Sequence, residues 1–367
     1  MDDEARGSAP GPVRLQGLRS PWGRRGHQHA RHESRHDDRA RTYAALDLGT
    51  NNCRLLVARP TYDSFRVIDA FSRIIRLGEG VSSSGVLSEA AIARALDALT
   101  ICRRKMEHRG VNRARLIATE ACRAAANGAD FLARVREHVG IELEVVDRET
   151  EAVLAATGCT PLMDPQVSNV ILFDIGGGSS ELVRLGRSRP ARGGPPTPEV
   201  RAWVSLPVGV VTLAERHGGM QVDRDLFERM IDEVAVFVTR FVAEHGNGHA
   251  DMHMLGTSGT VTTIAGVHLG LKRYDRRQVD GCWMSDGEVT GVVEQLLAMS
   301  YEERVANACI GRERADLVLA GCAILEAIRR AFPCERLRVA DRGLREGMLV
   351  QMMREDGIWH GARERTW

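Results

Sequence analysis

Apolar and polar positions alternate along the first half of the chain in a pattern that predicts a mixed α/β fold. Tyr43–Asp47, Cys53–Ala58 and Phe65–Leu77 have β-like alternation and indicate consecutive strands of a meander. Ser88 then begins a long amphipathic helix, which Gly110 follows. The later elements of this half are predicted to be a strand over 115–118, a helix over 128–138, a strand over 141–146 and a helix over 149–157.

The second half repeats this order. Asn169–Asp174 and Glu181–Leu185 predict a hairpin, and Val200–Leu206 predicts a third strand after an exposed loop over Gly186–Pro198. The remaining predicted elements are a helix entered near 206–212, a helix over 223–244, a strand over 252–255, a helix after 260, helices near 286–298 and 312–331, a strand over 337–340 and a helix over 343–353.

Two turns at strand ends share one residue pattern. Asp47 and Asp174 each stand between two apolar residues, and Gly49 or Gly176 follows with a small polar turn. The two aspartates are 174 − 47 = 127 residues apart, which suits a duplicated domain better than a solenoid repeat. We therefore predict two similar halves whose Asp-x-Gly turns face each other across a cleft.

Composition argues against several classes of protein, among them zinc-cluster proteins and proteins that bind nucleic acid or membranes through their overall charge. The 367 residues are 43% hydrophobic and 27% charged with a net charge of +1, so no global field favours nucleic acid or an anionic membrane. The eight cysteines include no C-x-x-C pair, which argues against a zinc cluster and for a reducing, cytoplasmic location. No apolar run approaches the roughly 20 residues that span a bilayer.

The first 41 residues are rich in Arg and His and poor in aliphatic side chains, so we predict a disordered tail. His32-Glu33-Ser34-Arg35-His36 matches the H-E-x-x-H pattern of zinc proteases. That pattern requires a helix with an apolar face to present both imidazoles. A passive tail, or an arm that binds metal or nucleic acid weakly, accounts for it better.

Three turns of glycine and hydroxyl residues, at 47–52, 174–181 and 256–260, each follow an apolar strand. Any one of them is equally compatible with a structural hairpin; together they indicate a phosphate-binding cleft. Asp47, Asp174 and Glu181 are candidate ligands for Mg²⁺. The residues predicted to hold phosphate are Asp47, Gly49, Thr50, Asn51, Gly176, Gly177, Gly178, Ser179, Gly256, Ser258, Gly259 and Thr260.

A water nucleophile also needs a base. Glu149 and Glu151 begin a predicted helix between the two halves. Acids in a first turn also complement the helix dipole, so a purely structural role stays open from the residues alone. Arg123 is a candidate bidentate phosphate clamp, or a solvated helix residue.

Several of these segments together carry a resemblance to a known family. The chain is similar to the exopolyphosphatase/guanosine pentaphosphate phosphohydrolase (Ppx/GppA) family from about residue 43 to about residue 353. The resemblance implies two ribonuclease-H-like, actin-like domains with the active site between them. It also implies Mg²⁺-dependent removal of the terminal phosphate from inorganic polyphosphate or pppGpp, and a homodimer. The segments that carry it are Asp47–Asn52, Thr119–Arg123, Glu149–Ala152, Asp174–Leu182, Leu206–Leu213, Gly256–Thr260 and Gly343–Gly347.

By position, the resemblance makes Glu151 the catalytic base and Arg123 a residue that positions phosphate. The family's first turn usually reads D-x-G-S-N-S, whereas this chain has Thr50 and Asn52 in place of the serines. Ser180 stands in place of the usual Thr. Longer members carry a further C-terminal helical module, so the chain resembles the short form.

We therefore expect an exopolyphosphatase with domains over 42–158 and 159–355, between the tail over 1–41 and a flexible C-terminus over 356–367. A pppGpp phosphohydrolase uses the same chemistry, and nothing in the sequence separates the two. An actin-like ATPase or kinase, or a regulator that binds polyphosphate or alarmones without catalysis, are rivals of other classes. We expect no requirement for nucleic acid or a membrane.

Overall fold

Two β-sheets form the frame of the chain, and the second repeats the five-strand order of the first with one additional edge strand. The computed structural model describes residues 41–188, 197–247 and 251–359. The predicted tail, up to residue 40, lies outside the described residues, and so does its H-E-x-x-H pattern. No helix among the described residues combines the length and the apolar character needed to cross a membrane.

The first sheet has the order β3-β2-β1-β4-β5. Its strands are β1 (Tyr43–Leu48), β2 (Asn52–Pro60), β3 (Phe65–Ile74), β4 (Arg113–Ala118) and β5 (Glu144–Val145). β1 pairs antiparallel with β2 and parallel with β4, and β3 pairs antiparallel with β2, which confirms the predicted meander. The strand predicted over 141–146 was too long, because the apolar residues before β5 pack into the core without ladder hydrogen bonds.

The second sheet has the order β10-β11-β9-β6-β7-β8. Its strands are β6 (Asn169–Ile175), β7 (Ser180–Ser188), β8 (Thr197–Leu206), β9 (Met252–Thr257), β10 (Trp283–Ser285) and β11 (Arg336–Ala340). β6 pairs antiparallel with β7 and parallel with β9, so β6 occupies the place that β1 has in the first sheet. This repeated ribonuclease-H-like topology confirms the predicted fold class and the internal duplication.

Strands and helices alternate after each meander. The helices are α1 (Val81–Ser84), α2 (Glu89–His108), α3 (Glu120–Ala124), α4 (Gly128–Val139), α5 (Arg148–Cys159), α6 (Val210–His217), α7 (Arg224–His245), α8 (Ser258–His268), α9 (Arg276–Val279), α10 (Asp286–Ala298), α11 (Tyr301–Ala306), α12 (Val318–Ala331) and α13 (Leu344–Glu355). The predicted helix over 312–331 begins only at Val318. Of the loop predicted over Gly186–Pro198, residues 186–188 belong to β7 and residues 197–198 to β8, and residues 189–196 lie outside the described residues.

Two helices join the sheets. α5 packs Ala152 and Ala156 against the core of the second sheet, while Leu154 on the same helix lies in the core of the first sheet. α13 follows β11 of the second sheet, yet Met348 and Met352 pack with Tyr43 of the first sheet. These crossings place the start of each helix between the two sheets.

The contacts of the chain continue to Trp359, within the segment that we assigned to the C-terminus. Asp356 accepts a hydrogen bond of 2.7 Å from the Tyr43 hydroxyl, and Arg113 donates to the other oxygen of Asp356. The Trp359 indole donates to the carbonyl of Thr61 at 3.2 Å. Residues 356–359 therefore lie against the first sheet.

Candidate active site

The two Asp-x-Gly turns have the same internal hydrogen bond. The amide of Gly49 donates to the carbonyl of Asn52 at 2.8 Å, and the amide of Gly176 donates to the carbonyl of Ser179 at 3.0 Å. Both donor and acceptor are 127 residues apart between the turns (176 − 49 and 179 − 52). The repeat in the sequence therefore reproduces one backbone conformation at equivalent strand ends.

The turns meet face to face. A Cβ atom on Gly177 would lie 3.0 Å from Cβ of Thr50 and 3.2 Å from Cβ of Asn51. A Cβ atom on Gly178 would lie 2.9 Å from Oγ1 of Thr50. Glycine is required at these positions because the backbones of the two turns approach closely. The predicted contact between the two turns is confirmed.

The first amides of α6 hold the second turn by hydrogen bonds to its carbonyl groups. The amide of Val210 donates to the carbonyl of Gly176 at 2.9 Å, and the amide of Val211 donates to the carbonyl of Gly177 at 2.9 Å. Gly209 permits this packing, because a Cβ there would lie 2.4 Å from the carbonyl carbon of Gly177. Because the turn carbonyls accept from α6, the turn amides are left on the opposite side. Within the described part of the chain, the amides of Gly177 and Gly178 donate to no protein acceptor.

The turns and the starts of α3, α5, α8 and α13 surround a cavity of about 100 Å³. It brings together most of the predicted site. The predicted residues that line it are Asp47, Gly49, Thr50, Asn51, Glu151, Asp174, Gly176, Gly177, Gly178, Ser179, Glu181 and Ser258. The second candidate base, Glu149, does not line it.

Three predicted residues of the third turn lie away from the cavity. Gly256 is inside β9, where a Cβ would meet the ring of Phe173 at 2.6 Å. Gly259 faces the guanidinium of Arg314, and the side chain of Thr260 packs against Gly321 of α12. Thr257 and Ser258 reach the cavity from this turn, and the φ of 81° at Ser258 is a strained left-handed conformation. The Ser258 side chain lowers the pKa of Asp174, against the larger effect of burial.

Buried carboxylates line the cavity and have raised pKa values. Burial raises the pKa of Asp174 to about 6, with a further contribution from Asp47. Burial, and next the negative charge of Asp174, raise the pKa of Glu181 to about 7. The hydroxyls of Ser179 and Ser205 each donate to Glu181 Oε1 at 2.9 Å and oppose this shift. Burial also raises the pKa of Asp47.

Glu151 lies in the first turn of α5, where Asp147 caps the helix by accepting from the amide of Thr150 at 2.7 Å. Burial raises the pKa of Glu151 well above its usual value. The charges of Glu181, Asp47 and Asp174 add to this shift, and only Arg123 opposes it among the leading causes. Arg123 Nη2 lies 3.3 Å from Glu151 Oε2. Arg123 itself does not line the cavity.

Sequence reasoning missed the basic residues of the site. Arg54 of β2 and Arg342 and Arg345 at the start of α13 line the cavity. Burial lowers the pKa of Arg345, while Glu346 and Asp47 favour its charged form. Two signals were present: Arg54 interrupts an apolar strand, and Arg345 lies in the Gly343–Gly347 segment.

The cavity suits a hard cation that binds through oxygen. No group of three or more His, Cys, Asp or Glu side chains within the described ranges is arranged to hold a metal alone. Two acids, Asp47 and Asp174, belong to the facing turns, and the buried Oδ1 atoms of Asn51 and Asn52 have no hydrogen-bond partner. Mg²⁺ commonly takes one or two carboxylates and completes its shell with water and substrate phosphates. The residues fit that mode of binding.

Comparisons with known proteins agree with this geometry. A model of the Ppx/GppA phosphatase family matches residues 56–356. The chain is 27% identical over 336 residues to a guanosine-5'-triphosphate,3'-diphosphate pyrophosphatase of Photobacterium profundum, covering 88% of this chain and 61% of that protein. The chain therefore spans less than two thirds of the length of this relative.

Solved structures have the same fold. The crystal structure of the Aquifex aeolicus member of the Ppx/GppA family is 28% identical with a TM-score of 0.70, covering 86% of this chain and 98% of that one. An exopolyphosphatase from Cytophaga hutchinsonii is 24% identical with a TM-score of 0.75, over 86% and 98%; it supports the fold alone. Because the family model matches most of its length, this chain belongs to the Ppx/GppA phosphatase family.

Proposed function

We propose that the protein is an exopolyphosphatase, which hydrolyses the terminal phosphoanhydride bond of inorganic polyphosphate and releases orthophosphate in a Mg²⁺-dependent reaction. The observation that carries this proposal is the cavity in which two facing Asp-x-Gly turns, the second with the amides of Gly177 and Gly178 unpaired within the described residues, meet the carboxylate of Glu151. Phosphoryl transfer requires positioning of the phosphate and neutralisation of its charge more than covalent chemistry by the protein.

The glycine turns supply the phosphate site. Gly177 and Gly178 line the cavity beside Thr50, which contributes a hydroxyl group there. Consecutive backbone amides form a concave donor set that suits phosphate oxygens. Arg54 and Arg345 add positive charge at the same cavity.

Asp47, Asp174 and Glu181 are the residues that would hold Mg²⁺. Burial is the main cause of their raised pKa values. A cation bound there would neutralise phosphate charge and favour the ionised form of these acids. The Ser179 and Ser205 hydroxyls orient Glu181 by donating to one of its oxygens. This arrangement leaves its other oxygen available to the cavity.

Glu151 is the general base in this proposal. Its carboxylate accepts a proton from the attacking water and orients that water toward the terminal phosphorus, in line with the leaving oxygen. A base is most effective when its pKa lies near the working pH. Burial and the neighbouring acids move the pKa of Glu151 upward in that direction.

The test is phosphate release from polyphosphate by Glu151→Gln, with and without Mg²⁺. We expect kcat to fall by roughly 10²- to 10⁴-fold, as for the loss of a general base. Glu149→Gln is the matched control, because it makes the same change two residues away outside the cavity. A folded Glu151→Gln protein with full Mg²⁺-dependent activity would refute the assignment.

Hydrolysis of pppGpp to ppGpp is the second candidate, and the name of the Photobacterium profundum relative favours it. The values of kcat/KM on long-chain polyphosphate and on pppGpp, measured side by side, decide between the two. ATP belongs in the same assay. Turnover of ATP with transfer to an acceptor would indicate a kinase. Tight binding of polyphosphate or pppGpp without phosphate release would indicate a regulator.

A further inference from the structure

Glu120 is a buried acid beside the proposed active site that the predicted set did not include. It follows the buried end of β4 and begins α3. Its side chain is 16% exposed and lines the cavity. A Cβ on Gly178 would lie 3.3 Å from Cγ of Glu120, so Glu120 packs directly against the second turn.

Two arginines hold the Glu120 carboxylate. Arg148 Nη2 donates to Oε1 at 2.9 Å, and Arg123 Nε donates to Oε2 at 3.1 Å. Burial by itself would raise the pKa of Glu120, but the hydrogen bonds from Arg148 and Arg123 bring its pKa below the usual value. An acid held in its ionised form in this way is a poor proton acceptor, which makes it unsuited to act as the base.

Arg123 connects Glu120 to Glu151. Its Nη2 donates to both carboxylates, at 2.5 Å to Glu120 Oε2 and 3.3 Å to Glu151 Oε2. Its Nη1 donates to the carbonyl of Val146 at 2.5 Å. Because a guanidinium is planar and rigid, these partners on two edges fix its orientation.

We propose that Glu120 is a positioning residue, which anchors the Arg123 guanidinium so that Arg123 in turn orients the Glu151 carboxylate toward the cavity. This inference rests on the proposed function, because it takes Glu151 as the base. In this proposal Glu120 acts through Arg123 and takes no proton itself. Arg148 completes the chain on the solvent side, where its side chain is 45% exposed.

Loss of this anchor changes the alignment of the base more than the binding of substrate. In Glu120→Gln the side chain keeps its size but loses its charge, so its neutral amide oxygen holds Arg123 more weakly than the carboxylate does. The contacts of Arg123 with Glu151 and the Val146 carbonyl remain. A displacement of about 1 Å in a catalytic group lowers the rate on the order of 100-fold. We expect Glu120→Gln to lower kcat for polyphosphate by about 10- to 100-fold, with KM within threefold of the wild type.

A double-mutant cycle separates positioning from a general structural role. The variants are Glu120→Gln, Arg123→Lys and both together, because lysine keeps the charge of arginine but not its planar fork. If Glu120 acts through Arg123, the double variant has the kcat of Arg123→Lys within about twofold. Independent effects that multiply would overturn the inference. Unfolding temperatures of all variants establish that each is folded.

Two further variants make the outcome specific. Glu120→Asp keeps the charge and is expected to recover part of the lost kcat, whereas recovery no greater than that of Glu120→Gln would contradict an anchoring carboxylate. Glu89→Gln removes an exposed acid that pairs with Arg134 in the same half of the chain and serves as the matched control, with unchanged kcat.

The same assays distinguish failure of this inference from failure of the proposed function. If Glu151→Gln retains full activity, the function assigned to Glu151 fails, and the anchoring role fails with it. If Glu151→Gln is inactive while Glu120→Gln has the wild-type kcat, only the anchoring role of Glu120 is wrong.

Discussion

Replacement of Gly209 by alanine tests whether the position of the second turn relative to α6 controls activity. Gly209 has φ −135° and ψ 177°, which any residue adopts without strain, so the substitution acts only through the added methyl group. That methyl would lie 2.4 Å from the carbonyl carbon and oxygen of Gly177 and 2.6 Å from the amide nitrogen of Gly178. All three atoms belong to the backbone and cannot rotate away.

The magnitude follows from these distances. Carbon atoms in contact prefer a separation of about 3.5–4.0 Å, so either α6 or the glycine turn has to move by roughly 1 Å. Overpacking of this kind costs about 1–3 kcal/mol of folding free energy. A displacement of about 1 Å in a phosphate-holding turn lowers kcat/KM on the order of 100-fold.

The assay is phosphate release from polyphosphate and from pppGpp, together with the free energy of unfolding from denaturant titration. Gly291→Ala is the matched control: it lies in α10 with no heavy atom within 4 Å of the added methyl, and alanine favours a helix over glycine by about 1 kcal/mol. Unchanged kcat/KM in a Gly209→Ala protein would refute the argument that α6 sets the position of the turn.

Three further predictions follow from burial and charge. The pKa values of Asp174 and Glu181 are raised in the folded protein to about 6 and about 7. Without a divalent cation, the contribution of these acids to stability is therefore complete below their usual pKa values and is lost as pH rises through about 6 and 7. Mg²⁺ should raise Tm more at pH 8 than at pH 5, and an equal increase would contradict this. Arg76 of the first half pairs bidentately with Asp316 of the second at 2.9 and 3.0 Å, so Asp316→Asn weakens a contact between the two halves. We expect this variant to lower kcat/KM several-fold in steady-state assays and to increase the radius of gyration in solution scattering. No change in either quantity would exclude a role of this ion pair in holding the two halves together. Met348→Ala opens a cavity in the core beneath α13 and should cost about 2–5 kcal/mol in denaturant titration, and a loss below 1 kcal/mol would show that the site collapses.

The architecture could be predicted from the sequence because strand period and the repeated Asp-x-Gly pattern are local signals. The placement of Arg345 and Glu120 could not, since each depends on which helix start the fold brings to the cavity. At the third turn, the sequence predicted phosphate-binding residues that the fold does not bring to the cavity. Gly256 and Thr260 have the composition of a phosphate loop, but β9 extends through Gly256 and α8 already contains Thr260, and both residues pack against the core. Cytoplasmic location, the homodimer and the domain boundaries stay predictions.

The duplication also explains how one fold provides two different halves of the proposed phosphate site. Asp47 faces Arg54 across β1 and β2, and Asp174 faces Glu181 across β6 and β7. Arg54 and Glu181 are themselves 181 − 54 = 127 residues apart, so they occupy equivalent positions. The first turn thus carries one negative and one positive group. The second carries two acids, and burial, followed by the charge of Asp174, raises the pKa of Glu181. In the proposed function, a cation at the second turn would relieve the repulsion between these acids, while Arg54 at the first turn would lower the cost of bringing an anionic phosphate between the turns. The change from Arg54 to Glu181 at equivalent positions therefore makes the two sides of the cleft electrostatically different, although their backbones are alike.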